Sequence, residues 1–153
     1  MNQPVYTLIC HRDIEMALVT LPKIYNFLES PNNFFIFGDG SLTQQDVDLL
    51  KAVMPLATIN LKSEREEFIK EKLKNYPNCL KYRDKHPLTF KLLDVPIMAG
   101  LNHNRFTFTD SDIIYLKNCE DYFNQDRNTH LTTDGIKISV KLQHALLKYN
   151  WKI

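Results

Sequence analysis

Four short apolar runs, each ending at a polar break, constrain the fold more than any other feature of this chain. Val5-Tyr6-Thr7-Leu8-Ile9-Cys10, Phe34-Phe35-Ile36-Phe37 and Ala57-Thr58-Ile59-Asn60-Leu61 lie in the first half, and Phe106-Thr107-Phe108-Thr109 in the second. The first is continuous rather than alternating, the pattern of a strand buried on both faces. Between the runs the apolar period lengthens. Ile14, Ala17, Leu18, Leu21, Ile24 and Leu28 recur at helical spacing. Pro22 should kink that helix or split it in two. Thr43, with Asp46 in the reciprocal position, caps a second helix that Pro55 closes. Ser63-x-x-Glu66 reads as a capping box opening a charged helix that ends before Pro77. Residues 79–87 read as irregular and basic, and 88–101 as helical with a break near Pro96. Strand–helix alternation of this kind predicts an α/β domain with a mostly parallel, Rossmann-like sheet.

At 153 residues the chain is expected to form a single domain, 1–153, with a sizeable core. A net charge of +1 argues against general nucleic-acid binding, which needs a strongly basic surface. The stretch Lys62–Lys91 is locally basic and reads first as a solvated face. Cys10, Cys79 and Cys119 are far apart and odd in number, so free thiols in a reducing compartment fit best. No Asn-x-Ser/Thr sequon occurs and no leader is evident, which points to a cytoplasmic protein. No apolar run approaches the roughly 20 residues of a membrane span. After residue 120 the pattern weakens: 121–133 reads as loop, 136–140 as a strand and 142–147 as a helix.

The chemistry concentrates at the ends of the strands. Asp110-Ser111-Asp112 sets two carboxylates on alternating residues just past the fourth run. Like charges so close are costly unless a cation neutralises them. A hard ion such as Mg²⁺ or Mn²⁺ suits carboxylate oxygens and leaves positions for phosphates. In open parallel sheets, ligands bind beyond the carboxyl ends of the strands. His11-Arg12, Asp39-Gly40 and Asp110-Ser111-Asp112 should therefore share one rim.

In order along the chain, Cys10-His11-Arg12-Asp13, Gly38-Asp39-Gly40-Ser41-Leu42-Thr43, Lys91-Leu92-Leu93-Asp94 and Asp110-Ser111-Asp112 together resemble a glycosyltransferase of the A-type, nucleotide-diphospho-sugar-binding fold. The resemblance covers about residues 5–120 and is to the donor-binding half of such enzymes, so the chain is expected to be truncated after it, with 121–153 a short C-terminal part. It implies that Asp110 and Asp112 hold Mn²⁺ or Mg²⁺ and that Ser111 lies beside the ribose or phosphate. It implies further that Asp39 contacts the nucleoside, that Gly40 allows close backbone approach, and that Lys91 faces the phosphates. Ile9, Cys10 and His11 would line the base pocket, with Arg12 beside them. The implied partners are a nucleoside-diphosphate sugar, expected to be uridine-based, and an unknown acceptor; the implied activity is sugar transfer.

Plainer readings stand beside these. Asp110 and Asp112 could cap a loop, Asp39 could be turn chemistry, and His11 a strand-exit residue bonded to backbone. Lys91 could be a solvated lysine, and Cys10 a small buried residue rather than a nucleophile. Two rival functions also fit parts of this pattern. One is a non-catalytic domain that keeps only nucleotide-sugar affinity. The other is a phosphotransferase of the haloacid-dehalogenase kind, which also uses a strand followed by D-x-D with the first Asp as nucleophile. That motif normally opens its domain, whereas here it comes late.

Overall fold

A computed structural model describes residues 3–103 and 105–115. Four strands, β1 (Val5–Ile9), β2 (Phe34–Gly38), β3 (Thr58–Asn60) and β4 (Thr107–Phe108), form one sheet in the order β3-β2-β1-β4. Every pairing is parallel. The helices are α1 (Ile14–Tyr25), α2 (Gln44–Val53), α3 (Lys62–Leu73), α4 (Pro77–Lys85) and α5 (Asp94–Asn102). The α/β class and the parallel, Rossmann-like sheet expected from the alternation are present. Among the described residues no helix is long and apolar enough to cross a membrane. The strand expected at 136–140 and the helix at 142–147 lie outside the described residues.

The period-2 geometry of the strands divides the core. Val5 and Ile9 of β1 join Phe34 and Ile36 of β2 against Ala17, Leu21 and Ile24 of α1 and Leu50 of α2. Tyr6 and Phe37, with Leu8 and Phe35 beside them, point to the other face and meet Val95 and Ala99 of α5. Both faces are covered, which is why β1 and β2 read as unbroken apolar runs. A third cluster, Ile69, Leu73 and Leu93, joins α3 to α5.

Local expectations met mixed outcomes. Thr43 and Asp46 do form a reciprocal capping box on α2. Pro22 does not split α1, which runs through it to Tyr25. The box expected at Ser63-x-x-Glu66 is two residues off: α3 starts at Lys62, and Glu64 accepts from the Leu61 N–H at 2.7 Å. Residues 77–85 are helical, not irregular. The break expected near Pro96 falls earlier, between the 3-10 turn Pro87–Lys91 and α5. Pro96 sits in the first turn of α5, where a missing N–H costs nothing.

Candidate functional site

Because all four strands run the same way, their carboxyl ends share one edge. Along it lie Leu61-Lys62 after β3, Asp39-Gly40 after β2, Cys10-His11-Arg12 after β1 and Asp110 after β4. The chain goes from β1 outward through β2 to β3, then returns to β4 on the other side of β1. The strand order therefore reverses between β1 and β4, the position at which open sheets of this kind leave a crevice.

The loop after β2 is held by its own aspartate. Asp39 Oδ1 accepts from the Ser41 N–H at 2.8 Å and from the Ser41 hydroxyl at 2.6 Å, while its backbone N–H reaches the Ile9 carbonyl. The turn chemistry thus engages one carboxylate oxygen and leaves Oδ2 without a partner among the described residues. Gly40 has φ +107°, a conformation that L side chains rarely adopt, and a Cβ there would lie 2.9 Å from Lys62 Cδ. A cleft of about 330 Å³ opens beside it, lined by Gly40, Leu42, Leu61, Lys62, Ser63 and Glu66. That volume suits a small ligand, but the cleft lies on the β2–β3 side of the edge, away from Asp110.

At the end of β1, His11 is held at two points. Its backbone N–H donates to Ser41 Oγ at 2.8 Å, and its Nδ1 lies 2.8 Å from Asp46 Oδ2. Asp46 is buried, and the same oxygen accepts from the Thr43 N–H (2.7 Å) and hydroxyl (2.8 Å). Burial pushes the Asp46 carboxyl up, but the Thr43 and His11 bonds outweigh it and leave it below its usual range. Asp13 stands at the N-cap of α1 without capping it. Its carboxylate instead takes Arg12 Nε at 2.8 Å and the Cys10 thiol at 3.1 Å, and is brought down to about 2 by those bonds. Burial and the Asp13 carboxylate raise Cys10, so its thiol stays protonated and is a poor nucleophile. Arg12 is 85% exposed.

At the end of β4, the Thr109 N–H donates to the Tyr6 carbonyl at 2.9 Å and fixes the start of the acidic turn. The buried Thr20 hydroxyl reaches the Ser111 carbonyl at 2.5 Å and ties the turn to α1. Asp110 and Asp112 are exposed. Lys91 Nζ lies 3.2 Å from Asp110 Oδ1. Among the described residues no three His, Cys, Asp or Glu side chains converge. Two exposed carboxylates on an anchored turn are hard oxygen donors of the kind Mg²⁺ and Mn²⁺ take, with further positions left to phosphate and water. The donor set fits such an ion in kind.

Sequence reasoning missed the support beneath this edge. Arg65, Arg83 and Asp94 are buried. Arg83 pairs with Asp94 through Nε (2.7 Å) and Nη2 (2.8 Å), and Arg65 Nε adds a bond at 2.8 Å. Arg65 also donates to the Gly38 carbonyl at 2.7 Å and the Asn60 carbonyl at 3.0 Å, joining the ends of β2 and β3. Phe90 lies against both guanidinium groups, 4.8 Å from Arg83 and 5.5 Å from Arg65. Lys91 is thereby carried on a 3-10 turn whose neighbouring aromatic is fixed. Asp46 was legible as a cap but not as the partner of His11, 35 residues away. No family model, curated protein or solved structure matches this chain.

Proposed function

We propose that this chain is a metal-dependent, glycosyltransferase-like domain that binds a nucleoside-diphosphate sugar at the carboxyl edge of its sheet and passes the sugar to an acceptor. The observation that carries this reading is the strand order. It sets the Asp110-Ser111-Asp112 turn and the end of β1 on the two sides of the reversal point, with Lys91 3.2 Å from Asp110. Asp110 and Asp112 would hold Mn²⁺ or Mg²⁺. When bound, the ion supplies Lewis-acid stabilisation of the departing diphosphate. Lys91 faces the same phosphates as a flexible cation. Ser111 is held by its carbonyl, so its side chain stays available to ribose or phosphate. Asp39 offers Oδ2 to a ribose hydroxyl, Gly40 keeps the backbone close, and Cys10, His11 and Arg12 border the nucleoside.

Calorimetric titration of uridine diphosphate with and without Mn²⁺ tests the reading. Binding should require the ion, and Asp110→Ala or Asp112→Ala should abolish it with little change in the unfolding midpoint, because relieved carboxylate repulsion offsets the lost contacts. Equal affinity with and without the ion would sink the proposal. Release of free sugar, or its transfer, from a nucleotide sugar by the purified chain separates an enzyme from a domain that only binds.

A further inference from the structure

Among the described residues of this edge, His11 carries an imidazole whose tautomer the surrounding atoms dictate. Asp46 Oδ2, 2.8 Å from Nδ1, belongs to an ionised carboxylate that already accepts two bonds from Thr43. An ionised carboxylate has no proton to give, so Nδ1 is the donor in that pair. A neutral imidazole protonated at Nδ1 carries a lone pair at Nε2. No group among the described residues takes that nitrogen, and the side chain is 57% exposed. The ring's two anchors, Ser41 and Asp46, both belong to the segment after β2, the side of the edge that also carries Asp39 and Gly40. Lys91 and Asp110, the pair assigned to the phosphates, lie instead at the end of the 3-10 turn Pro87–Lys91 and just after β4. His11 thus sits with the groups assigned to the nucleoside, and it presents an acceptor there.

Resting on the donor reading above, we infer that His11 is a specificity residue: its Nε2 accepts from the imide N–H of the nucleobase, and Asp46 positions it by fixing the tautomer. Uracil carries such an N–H between two carbonyl groups. Cytosine has a bare ring nitrogen in the same place, so two lone pairs would face each other without a proton between them. A site built around an acceptor rejects a ligand that cannot donate, because both groups are then desolvated and unpaired. The donor class this selects is a uridine-diphosphate sugar over its cytidine counterpart.

Calorimetry in the presence of Mn²⁺ reads the inference directly. Uridine diphosphate should bind roughly tenfold or more tighter than cytidine diphosphate. His11→Ala, at an exposed position, should erase that ratio by weakening the uridine nucleotide alone. Long-range proton–nitrogen NMR correlation should show the neutral His11 protonated at Nδ1 in the wild type, and a population protonated at Nε2 in Asp46→Asn. Equal affinities in the wild type, or a ratio that survives His11→Ala, overturn the inference while donor binding stands. Binding of neither nucleotide overturns it together with the donor reading. A wild-type ring protonated at Nε2, or an Asp46→Asn protein with an unchanged tautomer, removes the positioning role and the inference with it.

Discussion

The contact between Lys91 and Asp110 is the residue-scale feature with the clearest consequence. The two side chains are 35% and 53% exposed, and an ion pair so open to water contributes about 0–1 kcal/mol to stability. Its importance lies elsewhere. An ammonium 3.2 Å from a carboxylate offsets its charge and competes with any other cation that would take the same oxygen. A divalent ion on Asp110 must share or displace Lys91, which is then free to meet the phosphates the ion brings. Lys91→Met therefore acts in opposite directions on two measurements. Mn²⁺ alone should bind severalfold tighter, because its competitor is gone. Uridine diphosphate in the presence of Mn²⁺ should bind roughly tenfold more weakly, because a charged contact to phosphate is lost. Calorimetry of the ion and of the nucleotide separates the two effects. A variant weaker in both would place Lys91 among the groups that merely support the turn.

At the scale of elements, what could be read in advance followed what each segment uses for its core. β1 and β2 were legible because both faces are buried in hydrocarbon. α2 was legible because its cap is a local pair, Thr43 and Asp46. α4 was not, because it has no apolar stripe: its one fully buried side chain is Arg83. A helix attached through a guanidinium looks like a solvated basic loop to any rule built on hydrophobic periodicity. The same holds at the site. The acidic turn and the Asp39-Gly40 loop are contiguous and could be named, whereas the Asp46–His11 pair and the Arg65–Asp94–Arg83 cluster exist only once distant segments meet. The cluster is also where α3, α4 and α5 are joined, since Glu66 accepts from Arg83 at 3.0 and 3.2 Å on its outer side. Removing one partner of a buried ion pair leaves the other charge uncompensated. Arg83→Met should accordingly cost about 3–5 kcal/mol in urea unfolding. A loss under about 1 kcal/mol would mean that Arg65 alone compensates Asp94.

For the whole molecule, the pattern of carboxylates fixes how stability responds to acid. Burial pushes the Glu66 carboxyl up, yet the bonds from Arg83 and Lys70 outweigh it and bring it down to about 2 from an ordinary 4.5. Asp46 is also held below its usual range, through Thr43 and His11. Asp13 sits at about 2 beside Arg12 and Cys10, but its partner Arg12 is open to water, so the pair is a minor contributor. A carboxyl whose folded value lies below its unfolded one binds fewer protons in the native state, so its stabilisation is complete above the unfolded value and fades as pH falls toward the folded one. The unfolding midpoint should therefore hold steady from neutral pH down to about 5 and then fall between about 4.5 and 2. Glu66→Gln isolates the contribution of the outer carboxylate. It should lower the midpoint at pH 7, where the wild-type ion pair is intact. It should also flatten the acid limb, because the variant has one fewer group to protonate. The difference between the two proteins should vanish near pH 2, where the wild-type carboxyl is itself being neutralised. A wild-type midpoint that does not change across the acid limb would show that the Arg83–Glu66 bonds form no part of what holds α3 against α4.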